Sequence, residues 1–441
     1  MGKYFGTDGI RGKAYEFLTF ELAFSLGKAL SILENETLVI GRDTRESGDM
    51  LVDAIKQGAK VSGVDVLDIG VVPTPKLSFI SGEMKALGVM VTASHNPYQD
   101  NGIKVFNSGT KIFLEKEEII EQVIDGLICP PMPNKVGQDL PMISHQKIYE
   151  SLFKGLLNPT DYRIALDMAN GATFETGKLM FEKICNHLFT MGDTPDGKNI
   201  NVLCGSTHPG QLGWEVANRK LDFGFAFDGD GDRVLMVNKD GKLFDGDMLI
   251  YVCALYLKEK NKLNHNTVVL SKMSNLGIIK ALKQKDINVV QTDVGDKYII
   301  EAMNRFGYVL GGENSGHIIN TTLLDTGDGV LNAIFIVNIM KEWGKTIEEI
   351  CEDIVFYPDK MVNLRNIDKS LVKHEEVLKV VEEVKNRLQD DGFVIVRASG
   401  TEPMIRVSVS AKSMDTVNEC IDLIVSTLGK LNREEERSEQ S

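Results

Sequence analysis

The sequence predicts an α/β protein: three similar α/β domains with mixed sheets, closed by a smaller C-terminal α+β domain. Three observations carry that reading. A block of strand, small-residue loop, helix and strand occurs three times, the βαβ signature of a sheet with parallel strands covered by helices. After about Asp359 the order changes, and strands and helices separate. Finally, 441 residues with 43% hydrophobic content exceed one ordinary core and suffice for several.

The first block is "TLVIGRD", the turn "TRESG", the helical "DMLVDAIKQGAKVSG" and the strand "VDVLDIG". Apolar runs of this length between turn residues read as buried strands. The second is "YRIALDM", "ANGATFETGKLMFEKIC" and "HLFTMGD". The third is "TVVLSKM", "SNLGIIKALKQKD" and "INVVQTDVGD". The final stretch holds a strand, the amphipathic helix "HEEVLKVVEEVKNRLQ" closed by Gly392, the strands "FVIVRA" and "MIRVSVSA", and a helix from "MDTVNECIDLIVSTLGKL". Helices on one face of an antiparallel sheet fit that order. The charged tail "NREEERSEQS" reads as disordered. Domain boundaries are expected near 150, 246 and 357, giving domains 1–150, 151–246, 247–357 and 358–441.

A net charge of −14 and a pI near 5.1 argue against a nucleic-acid or anionic-membrane surface, which clustered Lys and Arg would mark. Any anionic ligand must then meet a local basic site. The six cysteines are scattered, with no C-x-x-C pair and no zinc spacing, so reduced buried thiols are expected. "MGKYFGTDGIRG" has no apolar signal region, and Gly6 stands where a myristoylation signal requires Ser or Thr. The longest apolar runs, "LIYVCALYL" and "VLNAIFIVNIM", fall well short of the roughly 18 residues that cross a bilayer. A soluble, cytoplasmic protein is expected.

Four loops carry chemistry. "TASHNPYQDNGIKVF" places Ser94 beside His95 after an apolar run, but without the G-x-S-x-G elbow of a hydrolase. In "LDFGFAFDGDGDRVLMV", Asp228, Asp230 and Asp232 alternate with glycines. Carboxylates that close repel one another unless a cation neutralises them, and oxygen-only ligation points to Mg²⁺, Mn²⁺ or Ca²⁺. An EF-hand fails, because the twelfth loop position is Lys239 instead of Glu and the flanks read as strands. Three protein ligands leave room in an octahedral shell for phosphate and water, and a phosphate on Ser94 would fit. "VLGGENSGHIIN" offers Glu313, Ser315 and His317 from a short glycine-flanked loop, a set suited to sugar hydroxyls and equally to a capped turn. In "FVIVRASGTEPMIRVSV", Arg397 and Arg406 bracket Ser399, Gly400 and Thr401. Guanidinium forks, hydroxyls and backbone N–H groups there could close on one dianionic phosphate, the basic site that an acidic protein needs.

Together with "YFGTDGIRG", "NINVLCGSTHP", "MSNLG" and "VGDKYI", these loops resemble, in order and over nearly the whole chain, the α-D-phosphohexomutase superfamily and within it the bacterial phosphoglucosamine mutases. The resemblance implies four domains around a central cleft, with the fourth more mobile. It implies that Ser94 is a phosphoserine that joins Asp228, Asp230 and Asp232 as ligands of one Mg²⁺. Glu313 and Ser315 would bind the sugar, and Arg397, Ser399, Gly400, Thr401 and Arg406 the non-reacting phosphate. Arg11, His95, Lys104, Arg233 and His317 would line the cleft. Asn314, Ala398 and Lys297 stand where that family usually has Gln, Pro and Arg, which leaves the exact sugar preference open.

The reaction implied is interconversion of glucosamine 6-phosphate and 1-phosphate through phosphorylated Ser94 and glucosamine 1,6-bisphosphate, which also primes the enzyme, in support of UDP-N-acetylglucosamine synthesis. Partners would be small sugar phosphates, with no nucleic acid or membrane, and a homodimer is left open. The alternatives are the same chemistry on mannose or glucose phosphates, a Mg²⁺-dependent sugar phosphatase, and a sugar-phosphate sensor without catalysis.

Overall fold

In a computed structural model of the chain all residues are described except 1, 7, 113, 399–403, 440 and 441, with backbone alone for 434–439. The chain forms two units, Met1–Met273 with Asp286–Glu352, and Ser274–Lys285 with Asp353–Ser441.

The first unit holds three mixed sheets. In the first, β1 (Phe5–Gly6), β2 (Gly9–Lys13), β3 (Thr37–Arg42), β4 (Asp65–Val71), β5 (Leu87–Val91), β6 (Asp100–Asn107) and β7 (Thr110–Lys111) run in the order β1-β2-β6-β5-β3-β4, with β7 beside β6. The pairs of β3 with β4 and β5 are parallel, and those of β6 with β5 and β2 antiparallel. Alternation along β3 sends Leu38 and Ile40 to one buried face and Val39 to the other, the two-sided burial of a helix-covered sheet. Each such fully buried side chain contributes about 1.5–3 kcal/mol relative to exposure.

Helices Phe20–Ala29 and Gly48–Val61 cover the first face. They cross at glycines: a Cβ on Gly27 would lie 2.3 Å from the Ile55 carbonyl oxygen, and one on Gly58 2.1 Å from that of Phe24. No side chain fits at either position.

The second sheet has the order β12-β11-β10-β8-β9, built from β8 (Thr160–Asp167), β9 (Cys185–Met191), β10 (Phe223–Phe227), β11 (Val234–Asn238) and β12 (Leu243–Phe244). The third has the order β14-β13-β15-β16, from β13 (Thr267–Ser271), β14 (Asn288–Thr292), β15 (Leu310–Gly312) and β16 (Ile318–Asn320). In each, the strands of the predicted βαβ block pair in parallel and an antiparallel hairpin lies alongside.

The second unit contains an antiparallel sheet, β17 (Asp359–Arg365), β18 (Gly392–Ala398) and β19 (Met404–Ala411) in the order β17-β19-β18, packed on helices Glu375–Leu388 and Met414–Glu439. Two local expectations are corrected. Gly392, with φ 179°, opens β18 instead of closing the helix, which ends one residue before Gln389 at φ +48°. The tail is helical to Glu439, because a run of Glu and Arg with no Gly or Pro favours helix once one is nucleated. Helix Leu276–Gln284, read as part of the third block, belongs by its contacts to this unit: the Asn275 side chain exchanges hydrogen bonds of 2.8 and 3.1 Å with the Tyr357 backbone, and Lys280 Nζ donates to Asp391 at 2.5 Å. Among the described residues no helix is long and apolar enough to cross a membrane.

One buried cation tests the packing of the first unit. Lys76, on helix Thr74–Glu83, is 2% exposed. Its ammonium donates to Gln146 Oε1 at 2.7 Å and to Thr176 Oγ1 at 3.4 Å, both uncharged, and burial lowers its pKa to about 8. Lys76→Met is therefore expected to stabilise the protein by about 1–3 kcal/mol at pH 7. The folded value lies below the unfolded value of about 10.4, so the unfolded chain binds more protons in between, and wild-type stability should rise between those two pH values. Urea melts of wild type and variant should converge as pH rises; a constant difference would place the charge outside the balance.

Candidate active site

Ser94 sits in the loop from β5 to β6, buried, with the backbone in the left-handed region at φ +53°. Its Oγ donates to Asp228 Oδ2 at 2.6 Å and lies 3.2 Å from His95 Nδ1. Asp228 through Arg233 connect β10 to β11, where Phe227 pairs with Val234. Gly229 is required by close approach, since a Cβ there would stand 2.5 Å from the Ser94 carbonyl oxygen. Two loops distant in sequence thus press backbone to backbone, and the serine hydroxyl meets the carboxylates.

Asp228, Asp230 and Asp232 are buried and offer one oxygen each within 4.8 Å of one another. Burial and the two neighbouring carboxylates push the Asp228 carboxyl well above the usual range. Burial also acts on Asp232, but Lys104, His317 and Arg233 outweigh it and hold that carboxyl well below. Among the described residues Asp230 Oδ1 and Asp232 Oδ1 have no hydrogen-bond partner. Buried acceptors left open in a cluster of like charges fit a hard divalent cation.

Cations surround the cluster. Register on the first sheet sets Lys104 opposite Met90, and its ammonium lies 2.9 Å from Asp230, 3.3 Å from Asp232 and 3.1 Å from Asp8. Burial would discharge it, but these three carboxylates raise its pKa well above normal. Arg233 Nε lies 4.0 Å from Asp228 and 3.9 Å from Asp232. His317 Nδ1 lies 3.6 Å from Asp232 Oδ1. Arg11 pairs with Asp8. Burial, followed by Arg233 and Arg11, lowers the His95 pKa to about 4, so its imidazole is neutral at pH 7.

Sequence reasoning missed the links behind these groups. Asp8 joins Lys104 to Lys111 at 2.5 Å, and Lys111 also pairs with Asp296. Burial opposes both ionisations, yet Lys104, Lys111 and Arg11 keep Asp8 charged, while Asp296 and Asp8 raise the Lys111 pKa above its usual value. A cavity of about 520 Å³ is lined by Asp8, Lys104, Lys111, Asp296 and Lys297 among others, but by neither Ser94 nor the three aspartates. Thr74 is another omission: its Oγ1 donates to Asp230 Oδ2 at 2.5 Å, and its N–H to the Asp230 carbonyl at 2.9 Å. Asp8 lies in "TDGIRG" and Asp296 in "VGDKYI", and an acidic residue beside glycine in each stretch is the signal that could have found them.

Glu313 is half-buried in the turn between β15 and β16, where its Oε1 accepts from the Gly295 N–H at 3.0 Å. Burial would lower the Arg233 pKa, but Asp228, Asp232 and then Glu313 outweigh it and raise it. Ser315 Oγ and His317 Nε2 are buried without a partner among the described residues. In the second unit Arg397 and Arg406 stand directly opposite each other on β18 and β19. Like charges in that position destabilise a sheet, which an anion would offset. Ser399, Gly400 and Thr401 lie outside the described residues.

The chain matches family models of phosphoglucomutase/phosphomannomutase alpha/beta/alpha domain I over residues 2–127, alpha/beta/alpha domain III over 245–356 and the C-terminal domain over 361–426. It is 43% identical to the phosphoglucosamine mutase of Halalkalibacterium halodurans, covering 98% of this chain and 100% of that one. It is 42% identical to that of Bacillus subtilis, covering 96% and 98%. Among solved structures it is similar to a phosphoglucomutase/phosphomannomutase family protein from Burkholderia thailandensis, with a TM-score of 0.80, 21% identity and 96% of each chain covered. It is also similar to Aspergillus fumigatus N-acetylphosphoglucosamine mutase in complex with GlcNAc-6P and magnesium, with a TM-score of 0.64, 16% identity and coverage of 98% and 96%.

Proposed function

The chain belongs to the phosphohexomutases, and from that membership we infer that it works as a phosphoglucosamine mutase, interconverting glucosamine 6-phosphate and glucosamine 1-phosphate. The observation that carries the mechanism is the Ser94 hydroxyl, 2.6 Å from Asp228 inside a buried cluster of three aspartates flanked by Lys104 and Arg233.

In this reading Ser94 carries a phosphoryl group. The free hydroxyl of the sugar phosphate attacks that phosphorus, the Ser94 Oγ–P bond breaks, and the hydroxyl proton ends on Ser94 Oγ, leaving glucosamine 1,6-bisphosphate. The bisphosphate turns over, and the reverse step returns its other phosphoryl group to Ser94. Asp228, Asp230 and Asp232, with the Ser94 phosphate, would hold one Mg²⁺, which neutralises charge on the transferring group. Lys104 and Arg233 add positive charge beside it. Neutral His95, 3.2 Å from Ser94 Oγ, is placed to relay the proton. Burial of Ser94 limits access of water, which would otherwise hydrolyse the phosphoenzyme.

Glu313, Ser315 and His317 would read the sugar hydroxyls, and Arg11, paired with Asp8 beside Lys104, would line the cleft. Arg397 and Arg406, with Ser399, Gly400 and Thr401, would hold the phosphate that is not reacting. In terms of chain, 1–150 would supply the serine loop, 151–246 the metal loop, 247–357 the sugar loop and 358–441 the phosphate loop. A cytoplasmic enzyme acting on free sugar phosphates fits this scheme.

The test is a bisphosphate-primed assay of purified protein with Mg²⁺ on glucosamine, glucose and mannose 6-phosphates in parallel. Highest kcat/KM on glucosamine 6-phosphate is expected. A preference for mannose or glucose phosphate would shift the reading to a phosphomannomutase or phosphoglucomutase, and stoichiometric release of inorganic phosphate would make it a phosphatase.

A further inference from the structure

Ser94 has no conformational ease of its own. A non-glycine residue at φ +53° is held there only where surrounding contacts over-determine it. The contacts come from four side chains that no step above uses. Arg45, with no exposure at all, closes on the backbone of the serine loop: Nη2 donates to the Ser94 carbonyl at 3.0 Å and the Asn96 carbonyl at 2.8 Å, and Nη1 donates to Asp100 O at 2.9 Å and to Pro97 O. Asp43 fixes the guanidinium, accepting from Nε at 2.9 Å. Its Oδ2 also accepts from Thr92 Oγ1 at 2.6 Å, and Thr92 Oγ1 in turn accepts the Ser94 N–H at 3.0 Å.

From the other side, out of the "NINVLCGSTHP" stretch, Asn201 Nδ2 donates to Ser94 O at 2.9 Å and Asn96 O at 3.3 Å. Asn201 Oδ1 is buried with no partner among the described residues, so the two carbonyls alone set the amide's orientation. Both polar ends of the Ser94 peptide units are thereby engaged.

We propose that Asp43, Arg45, Thr92 and Asn201 are positioning residues that lock Ser94 in its left-handed conformation, so that Oγ keeps one place for both giving and receiving the phosphoryl group. This rests on the mutase reading above. A loop that must be attacked at phosphorus in one half-reaction and attack in the other gains from a single fixed oxygen, because misplacement by about 1 Å can cost about a hundredfold in rate.

Two variants separate positioning from folding. Thr92→Val removes the oxygen that takes the Ser94 N–H at constant shape, and Thr92→Ser restores it. Asn201→Asp preserves a residue that tolerates the φ of +60° observed at that position while turning a donor into an acceptor that faces two carbonyls. The readouts are the single-turnover rate of Ser94 phosphorylation by glucosamine 1,6-bisphosphate, followed by intact mass, together with kcat, KM and the Mn²⁺ affinity of the folded protein. Thr92→Val and Asn201→Asp are expected to slow phosphorylation and kcat ten- to a hundredfold, with KM and Mn²⁺ affinity within about threefold, and Thr92→Ser to recover most of the rate. If Thr92→Val phosphorylates at the wild-type rate, or if Thr92→Ser is as slow as Thr92→Val, the positioning role is overturned. Should Asn201→Asp fail to fold, the Thr92 pair still decides. A wild-type protein that takes no phosphate on Ser94 overturns the mutase reading instead.

Discussion

Ser94→Ala is expected to end the interconversion of glucosamine phosphates while the fold stands. The substitution removes one oxygen, whose hydrogen bond to the buried Asp228 contributes about 1 kcal/mol. The left-handed backbone at this position is as strained for Ala as for Ser, so nothing else in the loop changes. Without the oxygen there is nowhere for a phosphoryl group to rest between its two transfers, and activity should fall on the order of 10⁴-fold or more, as when a covalent nucleophile is deleted. Intact-mass measurement should find one phosphate on a fraction of the wild type and none on the variant, with thermal melts within a few degrees. Wild-type turnover by Ser94→Ala would sink the phosphoserine mechanism.

The aspartates should separate into two kinds. Asp228 carries a pKa raised by burial and by its neighbours, so its ionised form opposes folding. Stability linked to it is present below the unfolded value, about 3.9, and is lost as pH rises through the raised folded value. Asp228→Asn is therefore expected to raise the melting temperature of metal-free protein at pH 7, and to do so less at pH 4. Asp230 differs because it is the 2.9 Å partner of Lys104 and the 2.5 Å acceptor of Thr74. Asp230→Ala should lower metal-free stability by about 1–3 kcal/mol, since it leaves buried donors short of an acceptor. Both variants should lose Mg²⁺ affinity and at least about a hundredfold in turnover. Calorimetric titration and melts with and without Mg²⁺ check this; activity that survives chelators would remove the metal from the scheme.

The α/β repeats were legible because periodicity and turn residues act locally: "TLVIGRD" and "VDVLDIG" became the parallel pair β3 and β4, and the corresponding strands of the other two blocks also paired. Ser94 and the three aspartates were legible as chemistry, since serine beside histidine and carboxylates at alternate positions have few bland uses. Their meeting was not, because nothing in either loop encodes a partner 134 residues away. Arg45 illustrates the limit. In "TRESG" it looks like a surface turn residue, and it turns out to be wholly buried because the carbonyls it satisfies belong to a loop that sequence alone could not place beside it. The tail shows the opposite limit: its charge reads as disorder, while the helix preference of Glu and Arg continues the preceding helix to Glu439.

The two glycines where helices Phe20–Ala29 and Gly48–Val61 cross now bear on the chemistry. Each brings a backbone so near the facing carbonyl, of Ile55 or of Phe24, that a Cβ would overlap it. Such a crossing admits little sliding, because a shift by one residue would drive a side chain into a peptide group. The second helix begins three residues after Arg45, so its phase along the first helix sets where the guanidinium arrives under the serine loop. The tolerance on a single oxygen is thus held in part by two residues that have no side chain, and their substitution should be read as a loss of alignment as well as a loss of stability.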